Sequence, residues 1–390
     1  MNNSWTRTSL GDICMFRAGT AFPKKFQGDV SGEIPFIKVS DLKHSANSLY
    51  IRHSANWVDM STVEHLKASL LYPGAIVFAK IGEGLKAERF RLVARPTCID
   101  NNLMGAIPQG VNTHFLYYLM VHTGVAHLVE GSALPYLRQS DLERIPVCVP
   151  PNDDQRQIAE VLGALDDKIE SNRRIAFKCD EVASELFGQA ASMNQKLDEV
   201  SEVRMGVSPP GFSYNETGEG IAFFQGVRDF SYLHPVARVY TNAPKRLAKP
   251  GDILFSVRAP VGRLNIADST CCIGRGLAAI TSNRSAICLF ALRAAAAEWE
   301  KFSAEGTVFG AVNQKSLKST LIPWPDPVAE EELEYQLSSL VALASQSERE
   351  SISLSKLRDT LLPELMSGRM RVDEAGRLVS EALDEEVADV

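Results

Sequence analysis

No run of 18 apolar residues occurs anywhere in the 390-residue sequence, so no membrane-spanning helix is expected. The opening residues, MNNSWTRTSLGDICMF, lack the basic-then-apolar order of a secretory signal, and a cytoplasmic location is the expectation. Seven cysteines are present but no C-x-x-C pair, and only Cys271 and Cys272 are adjacent. That pattern excludes a zinc ribbon and points to buried free thiols in a reducing compartment. There is no G-x-x-x-x-G-K-[ST] cradle, and KIGEGLK at 80–86, the nearest glycine-rich loop, lacks G-x-G-x-x-G spacing. SPPGF at 208–212 and PPND at 150–153 read as boundary segments, not as parts of a catalytic loop. The histidines at 44, 53, 65, 114, 122, 127 and 234 have no metal-ligand spacing, and VSDLK at 39–43 offers only Asp41 and Lys43 to a nuclease. No catalytic residue, no metal and no cofactor in this chain is expected.

What is present is an ordinary globular composition, 45% hydrophobic and 23% charged, in a chain too long for one core. The net charge of −7 argues at first against a nucleic-acid partner, but it is unevenly distributed. Residues 1–150 carry +3, residues 151–195 carry −4, residues 196–329 carry +3 and residues 330–390 carry −9. Two mildly basic blocks alternate with two acidic ones.

The sequence is written twice. LYPGAIVFAKIGEG at 71–84 answers to AKPGDILFSVRAPVG at 248–262, each with Pro-Gly at a turn, a short apolar strand and a polar loop. GSALPYLRQSDLERIPVCVPP at 131–151 answers to EGTVFGAVNQKSLKSTLIPWPDP at 305–327, and LGDICMFRAGTAF at 10–22 to LDEVSEVRMGVSP at 197–209. Two helical stretches repeat most cleanly. Ile158, Leu165, Asn172, Cys179 and Leu186 recur every seven residues, with Leu162, Ile169, Ala176 and Ala183 between them. The same seam lies 175 residues on: Leu333, Leu340, Ser347, Leu354 and Leu361, with Leu337, Ala344, Ser351 and Arg358 between. This 3–4 alternation is a coiled-coil signature, and two such helices in one chain pair most simply with each other. Asn172 and Ser347 place polar groups mid-seam, where they fix register. Asn152 with Gln155 predicts a capping box for the first helix, and Asp326 with Pro327 the start of the second. Pro363 is expected to bend or stop that helix and Gly368 to close it.

The basic blocks place polar loops at matching positions. The first offers Lys24 and Lys25, Lys38, then Lys80, Lys86 and Arg89, then Tyr136, Arg138 and Gln139. The second offers Arg228, then Arg258, Arg263 and Asn265, then Arg275, then Asn313, Gln314 and Lys315. Lys, Arg, Asn and Gln are the side chains that read guanine and adenine edges or hold phosphates. These residues are the candidate DNA-binding set. A protein-binding adaptor with duplicated domains and no DNA role is the alternative.

PPNDDQRQIAEVLGALDDKIESNRRI, from its Pro-Pro stop through Gln155, Ile158, Leu165–Ile169 and Asn172-Arg173-Arg174, resembles the centre of specificity subunits of Type I restriction–modification systems. LLPELMSGRMRV at 361–372 resembles the end of that family's second helical region, and PGDILFSVRAPVG and PYLRQSDLERIPVCVPP resemble its recognition-domain strands. The resemblance implies an α/β (α+β) chain with two pseudo-symmetric target recognition domains, 1–150 and 196–325. Two helical spacers, 151–195 and 326–371, would form an antiparallel coiled coil, followed by an acidic tail, 372–390. It implies a non-catalytic subunit that binds double-stranded DNA, each domain reading half of a bipartite site. The helices would set the spacer and dock two methyltransferase (modification) subunits carrying S-adenosylmethionine, and restriction (translocase–nuclease) subunits can join. Two departures stand out: the second helix lacks the Gln-Arg-x-Ile step of 155–158, and Arg358 occupies an apolar seam position. A helix over 152–189 would be roughly 57 Å long at about 1.5 Å per residue. That exceeds the roughly 34–36 Å between two readers on one face of a duplex.

Overall fold

The structure, a computed structural model, describes residues 5–129, 135–304 and 310–384. Contacts divide it into two units, residues 1–170 with 352–390, and residues 171–351. The divisions fall inside two continuous helices, Asn152–Ala190 and Glu330–Met366, so each unit owns one half of each helix.

In unit 1 a five-stranded sheet runs Cys14–Ala18, Leu103–Pro108, Ile76–Ala79, Arg91–Val93, Tyr50–Ile51. A second sheet runs Trp57–Val58, Ile34–Ile37, Thr97–Ile99, Leu70–Leu71, and its central pair is parallel, with Phe36 opposite Cys98. Strands such as IVFA at 76–79 are buried at every position, so they read as continuous apolar runs without alternation. The ends of the unit's globular block are tied by an antiparallel ribbon, Thr6–Ser9 with Pro146–Val149. Helix Thr113–Thr123 buries Phe115 to Met120 behind the larger sheet.

Unit 2 repeats this plan. The counterpart of the first sheet has four strands and runs Glu202–Met205, Leu277–Thr281, Ile253–Ser256, Leu264–Ile266. Its second sheet has the same parallel pair, Phe223 opposite Cys272. The ribbon is Ala191–Lys196 with Leu321–Pro325, and the covering helix Ser285–Ala294 buries Ala286 to Leu292. All three sequence correspondences fall on equivalent elements, although 131–134 and 305–309 lie outside the described residues. Matching glycines explain part of this. Gly19 and Gly206 each donate their N–H across the sheet end, to the carbonyls of Leu103 (3.1 Å) and Leu277 (2.9 Å). A Cβ would lie 1.8 Å from the Asp100 carbonyl oxygen at Gly19 and 2.1 Å from that of Gly274 at Gly206. Only glycine permits that approach.

The helices pair antiparallel within each unit. In unit 1, Ile158, Leu162, Leu165 and Ile169 share one core with Leu354 and Leu361. In unit 2, Ala183, Leu333 and Leu337 lie in another, with Leu340 half-buried, while Ala176, Cys179 and Ala344 form a satellite cluster. Fully burying a Leu or Ile side chain contributes about 1.5–3 kcal/mol, so this seam is a large part of each core. Asn172 and Ser347 are both buried, at 1% and 4% exposure, and Ser351 donates its hydroxyl to the Ser347 carbonyl. Leu186, expected in the seam, is only half-buried, and Phe187 takes its place. A straight helix of 3.6 residues per turn drifts about 20° per heptad, which brings the next residue inward.

Several terminal details differ from expectation. Gln155 does not return a bond to the Asn152 N–H. Its amide donates to the Pro150 carbonyl (2.9 Å) and the Asn152 side-chain oxygen (3.2 Å), and its oxygen accepts the Asn112 N–H (2.9 Å). Buried at 2% exposure, it fastens the helix start to the block before it. The second helix begins at Glu330, beyond Pro327, although the Asp326 carboxylate does accept the Val328 N–H. Pro363 neither stops nor ends that helix, which continues to Met366. Gly368, at φ +67°, closes it as expected, with the Arg369 N–H reaching back to the Glu364 carbonyl. The acidic tail is a helix over Val372–Asp384 that buries Ala375 and Val379 in the unit 1 core; residues 385–390 lie outside the described residues.

Candidate nucleic-acid interface

Each unit ends in a polar rim where the loops leaving both sheets meet. In unit 1 the Lys80 N–H donates to the Asn102 carbonyl (2.9 Å), and the Leu137 N–H donates to the Lys80 carbonyl (2.9 Å). A bridge between Ile81 and Tyr136 closes the rim. In unit 2 the equivalent ladder is Val257 to Gly276 and Val312 to Val257, both 2.9 Å, closed by a bridge between Arg258 and Ala311. Loops separated by more than fifty residues are thereby joined in each unit.

On the unit 1 rim, Lys24 and Lys25 stand exposed on a 3-10 turn after Pro23. Lys38 is half-buried and donates through Nζ to the Gln27 side-chain oxygen (2.7 Å). Beside it, burial pushes the Asp100 carboxyl above its ordinary value, against the opposing effects of Asn102 and Lys38. Lys86 is exposed and paired with Glu83 (2.7 Å), Arg89 is half-buried, and Arg138 is exposed at the start of a short helix. Gln139, in the same helix, donates to Glu143 (2.7 Å). Lys80 is the exception among these lysines at 7% exposure; its Nζ lies 5.8 Å from the centre of the exposed Tyr136 ring. It supports the rim from beneath.

On the unit 2 rim, Arg228, Arg258, Arg263, Arg275, Gln314 and Lys315 are exposed. Asn313 is exposed, but its side-chain oxygen is used to cap its own helix by accepting the Ser316 N–H (2.9 Å). Asn265 does not face solvent: it is 2% exposed, accepts the Ser231 N–H and donates to the carbonyls of Ser231 and Leu264. Every polar atom of its amide is engaged in holding the strand to the 231 loop, so it is removed from the candidate surface.

The strand pairing also fixes individual equivalences. Lys38 follows Phe36–Ile37 as Gln225 follows Phe223–Phe224, so its counterpart is Gln225. Lys80 corresponds to Val257, and Arg258 to Ile81. Gln225 is exposed and accepts the Ser208 hydroxyl (3.1 Å), and Ser208 in turn accepts the Arg275 N–H (3.3 Å). Sequence reading missed Gln225, Ser208 and Phe212. SPPGF is no boundary but a rim loop, and the signal that could have found it is an aromatic placed directly after Pro-Pro-Gly.

Several buried polar groups elsewhere are committed to the fold. Arg358 donates to Asp166 (2.6 Å), whose other oxygen accepts the Tyr118 hydroxyl (2.7 Å). Burial alone would lower the Arg358 guanidinium, but the Asp166 carboxylate outweighs it and holds the charge. That accounts for the charged residue in the seam. Burial pushes the thiols of Cys14, Cys98, Cys271 and Cys288 up to about 12, far from reactive thiolates. No described helix is long and apolar enough to cross a membrane.

Residues 2–177 match the model of the family described as Type I restriction modification DNA specificity domain. A protein of Methanocaldococcus jannaschii described as a putative type I restriction enzyme MjaX specificity subunit is 28% identical over 344 residues, covering 80% of this chain and 77% of that protein. A second protein of that organism, described as type I restriction enzyme MjaIX specificity subunit, is 26% identical over 200 residues, half of this chain and 45% of its own. Among solved structures, the Type-I restriction-modification system S subunit from M. genitalium superposes with a TM-score of 0.60 over 94% of this chain and 97% of that one, at 16% identity. That likeness is one of fold.

Proposed function

We propose that this chain, like the relatives it matches, is the DNA sequence-specificity subunit of a Type I restriction–modification complex and that each unit reads one half of a bipartite site. The observation that carries this reading is the repetition of the whole rim: the same ladder, the same glycine approach and the same crossing loops in both units. Two rims of one construction suit two short sequences read by one method. An adaptor that clamps polypeptides would more naturally present apolar grooves than exposed Lys, Arg and Gln.

The chain performs no chemistry in this reading. Two methyltransferase subunits dock on it and supply S-adenosylmethionine, restriction subunits join them, and the assembly works on double-stranded DNA in the cytoplasm. The paired helices set the spacer between half-sites. Supporting this role, both are single uninterrupted elements of 39 and 37 residues. The exposed rim cations contribute the salt-dependent part of binding, at about 0.9 in the log–log slope per phosphate neutralised. Lys24, Lys25, Lys86, Arg138, Arg263, Arg275 and Lys315 are assigned to this group, with Lys38, Arg89, Arg228, Gln139, Gln314 and Gln225 at the edge of the reading surface.

The test is to express the chain with its modification partners in a methylation-free host and sequence the methylated adenines. A bipartite motif with a fixed gap is expected. Single-block or sequence-independent methylation would refute it. Inserting one heptad into both helices is expected to change the gap and leave both half-sites intact; an unchanged gap removes the spacer role.

A further inference from the structure

Two positions recur in both rims, and their chemistry is exchanged between the units. The first is the tip of the 3-10 turn after the rim glycine. Pro23 and Pro210 precede these turns in almost the same conformation, at φ −63°, ψ 142° and φ −61°, ψ 137°. The middle residue of the turn is Lys25 in unit 1 and Phe212 in unit 2. The second position is the bridge that closes the rim, Ile81 with Tyr136 in unit 1 and Arg258 with Ala311 in unit 2. Unit 1 therefore carries a cation at the turn and an aromatic ring at the bridge, and unit 2 carries an aromatic ring at the turn and a cation on the other side of the bridge, at the place of Ile81.

Neither ring is placed there by a need for burial. Phe212 is 89% exposed and Tyr136 53%. The Phe212 turn is nevertheless held firmly. Ser213 donates its N–H (3.0 Å) and its hydroxyl (2.7 Å) to the Pro210 carbonyl, its hydroxyl meets the fully buried Thr241 hydroxyl (2.7 Å), and the Tyr214 hydroxyl donates to the Pro209 carbonyl (3.0 Å). An ideal Cβ built on the neighbouring Gly211 meets nothing within 4 Å, so the tip stands clear of the protein. A large apolar ring exposed to water on a turn held in this way suits a partner that offers flat apolar faces within a polyanion. Nucleic-acid bases do so: aromatic rings stack on bases and can wedge between base steps, while neighbouring cations hold phosphates.

We propose that Phe212 in unit 2 and Tyr136 in unit 1 are base-contacting, specificity-determining residues, and that Arg258 and Lys25 at the exchanged positions are phosphate contacts. The two half-sites are thus read from different loops of one scaffold. The assignment rests on the DNA-reading role proposed above.

The experiment uses the full chain assembled with its modification subunits, and duplexes bearing its methylated motif with 2-aminopurine at successive positions. Phe212→Ala is expected to abolish the stacking-dependent fluorescence change in the half-site read by unit 2 alone. It should weaken binding through that half-site roughly tenfold, relax base preference there and leave the salt slope unchanged. Phe212→Tyr retains both signals. Lys25→Ala is expected to reduce the salt slope by about one and leave base preference in the other half-site unchanged. Tyr136→Ala and Arg258→Ala mirror these results with the half-sites exchanged. Phe212→Ala that lowers only the salt slope, or changes neither signal while wild type discriminates its motif, overturns the assignment. A wild-type complex without preference in either half-site overturns the DNA-reading role and this assignment with it.

Discussion

At equivalent points 175 residues apart, unit 1 places Asp166 and Arg358 where unit 2 places Val341 and Ala183. The unit 1 half of the helix pair is fastened by a buried ion pair with the Tyr118 hydroxyl on its second oxygen. The unit 2 half relies on apolar contact there and is fastened elsewhere. Its Glu348 carboxylate accepts the N–H groups of Tyr232, Leu233 and His234, and Ser345 bonds the His234 ring (2.7 Å). The strand ladders and rim glycines match, while the fastenings and the exposed tips do not. Backbone approach tolerates no substitute at Gly19 or Gly206, whereas one attachment of helix to globular block can replace another. The shared features define the scaffold, and the divergent ones give each unit its own stability and, in the function proposed above, its own half-site.

The largest effects should therefore be shared. Gly19→Ala and Gly206→Ala each force a backbone carbonyl aside, and each is expected to destabilise its own unit by about 3 kcal/mol. Hydrogen exchange on helices Thr113–Thr123 and Ser285–Ala294 reads the units separately; losses that differ widely would break the equivalence. Next comes a change confined to unit 1. Asp166→Ala strips the partner from Arg358 and the acceptor from Tyr118, at a cost of about 2–3 kcal/mol, less than for a fully buried pair because Arg358 retains Asp359. Replacing the pair with unit 2's residues, Asp166→Val with Arg358→Ala, should recover most of that. A double variant no more stable than the single one would show that the pair is not the fastening.

A smaller effect should be confined to unit 2. Glu348→Ala leaves three N–H groups without their acceptor and is expected to cost about 1–2 kcal/mol, seen as faster exchange of the 232–234 amides. Unchanged exchange there would assign the loop's position to His234 alone. The smallest concerns Asp100. Its carboxyl is raised above the ordinary 3.8 by burial, so the folded state holds the proton more tightly than the unfolded chain. The contribution is complete below that ordinary value and lost as pH rises through the folded one. Asp100→Asn should flatten the pH dependence of unit 1 stability from pH 4 upward, by less than about 1 kcal/mol. A steeper dependence in the variant would contradict the burial argument.

Much of this was legible from residue spacing. The helix expected over 152–189 is found at 152–190, and the three paired motifs fall on equivalent strands and turns, because apolar periodicity and Pro-Gly turns are local signals. What escaped depends on long-range partners. Gln155 looked like half of a capping box but serves Asn112, 43 residues earlier. Arg358 looked misplaced until Asp166 stood opposite it. Asn265 has the side chain of a base reader, yet the Ser231 loop covers it. Pro363 sits in the last turn of its helix, where the missing N–H interrupts one bond only. Phe212 was passed over because an exposed ring leaves no periodic trace.

The central claim is that two units of one design each read half of a site. Exchanging residues 196–325 for the corresponding block of a relative with a different motif, then sequencing the methylated adenines made by the assembled complex, tests it most directly. One half-site should change to the relative's while the other half and the gap persist; change in both halves, or in neither, would contradict the account.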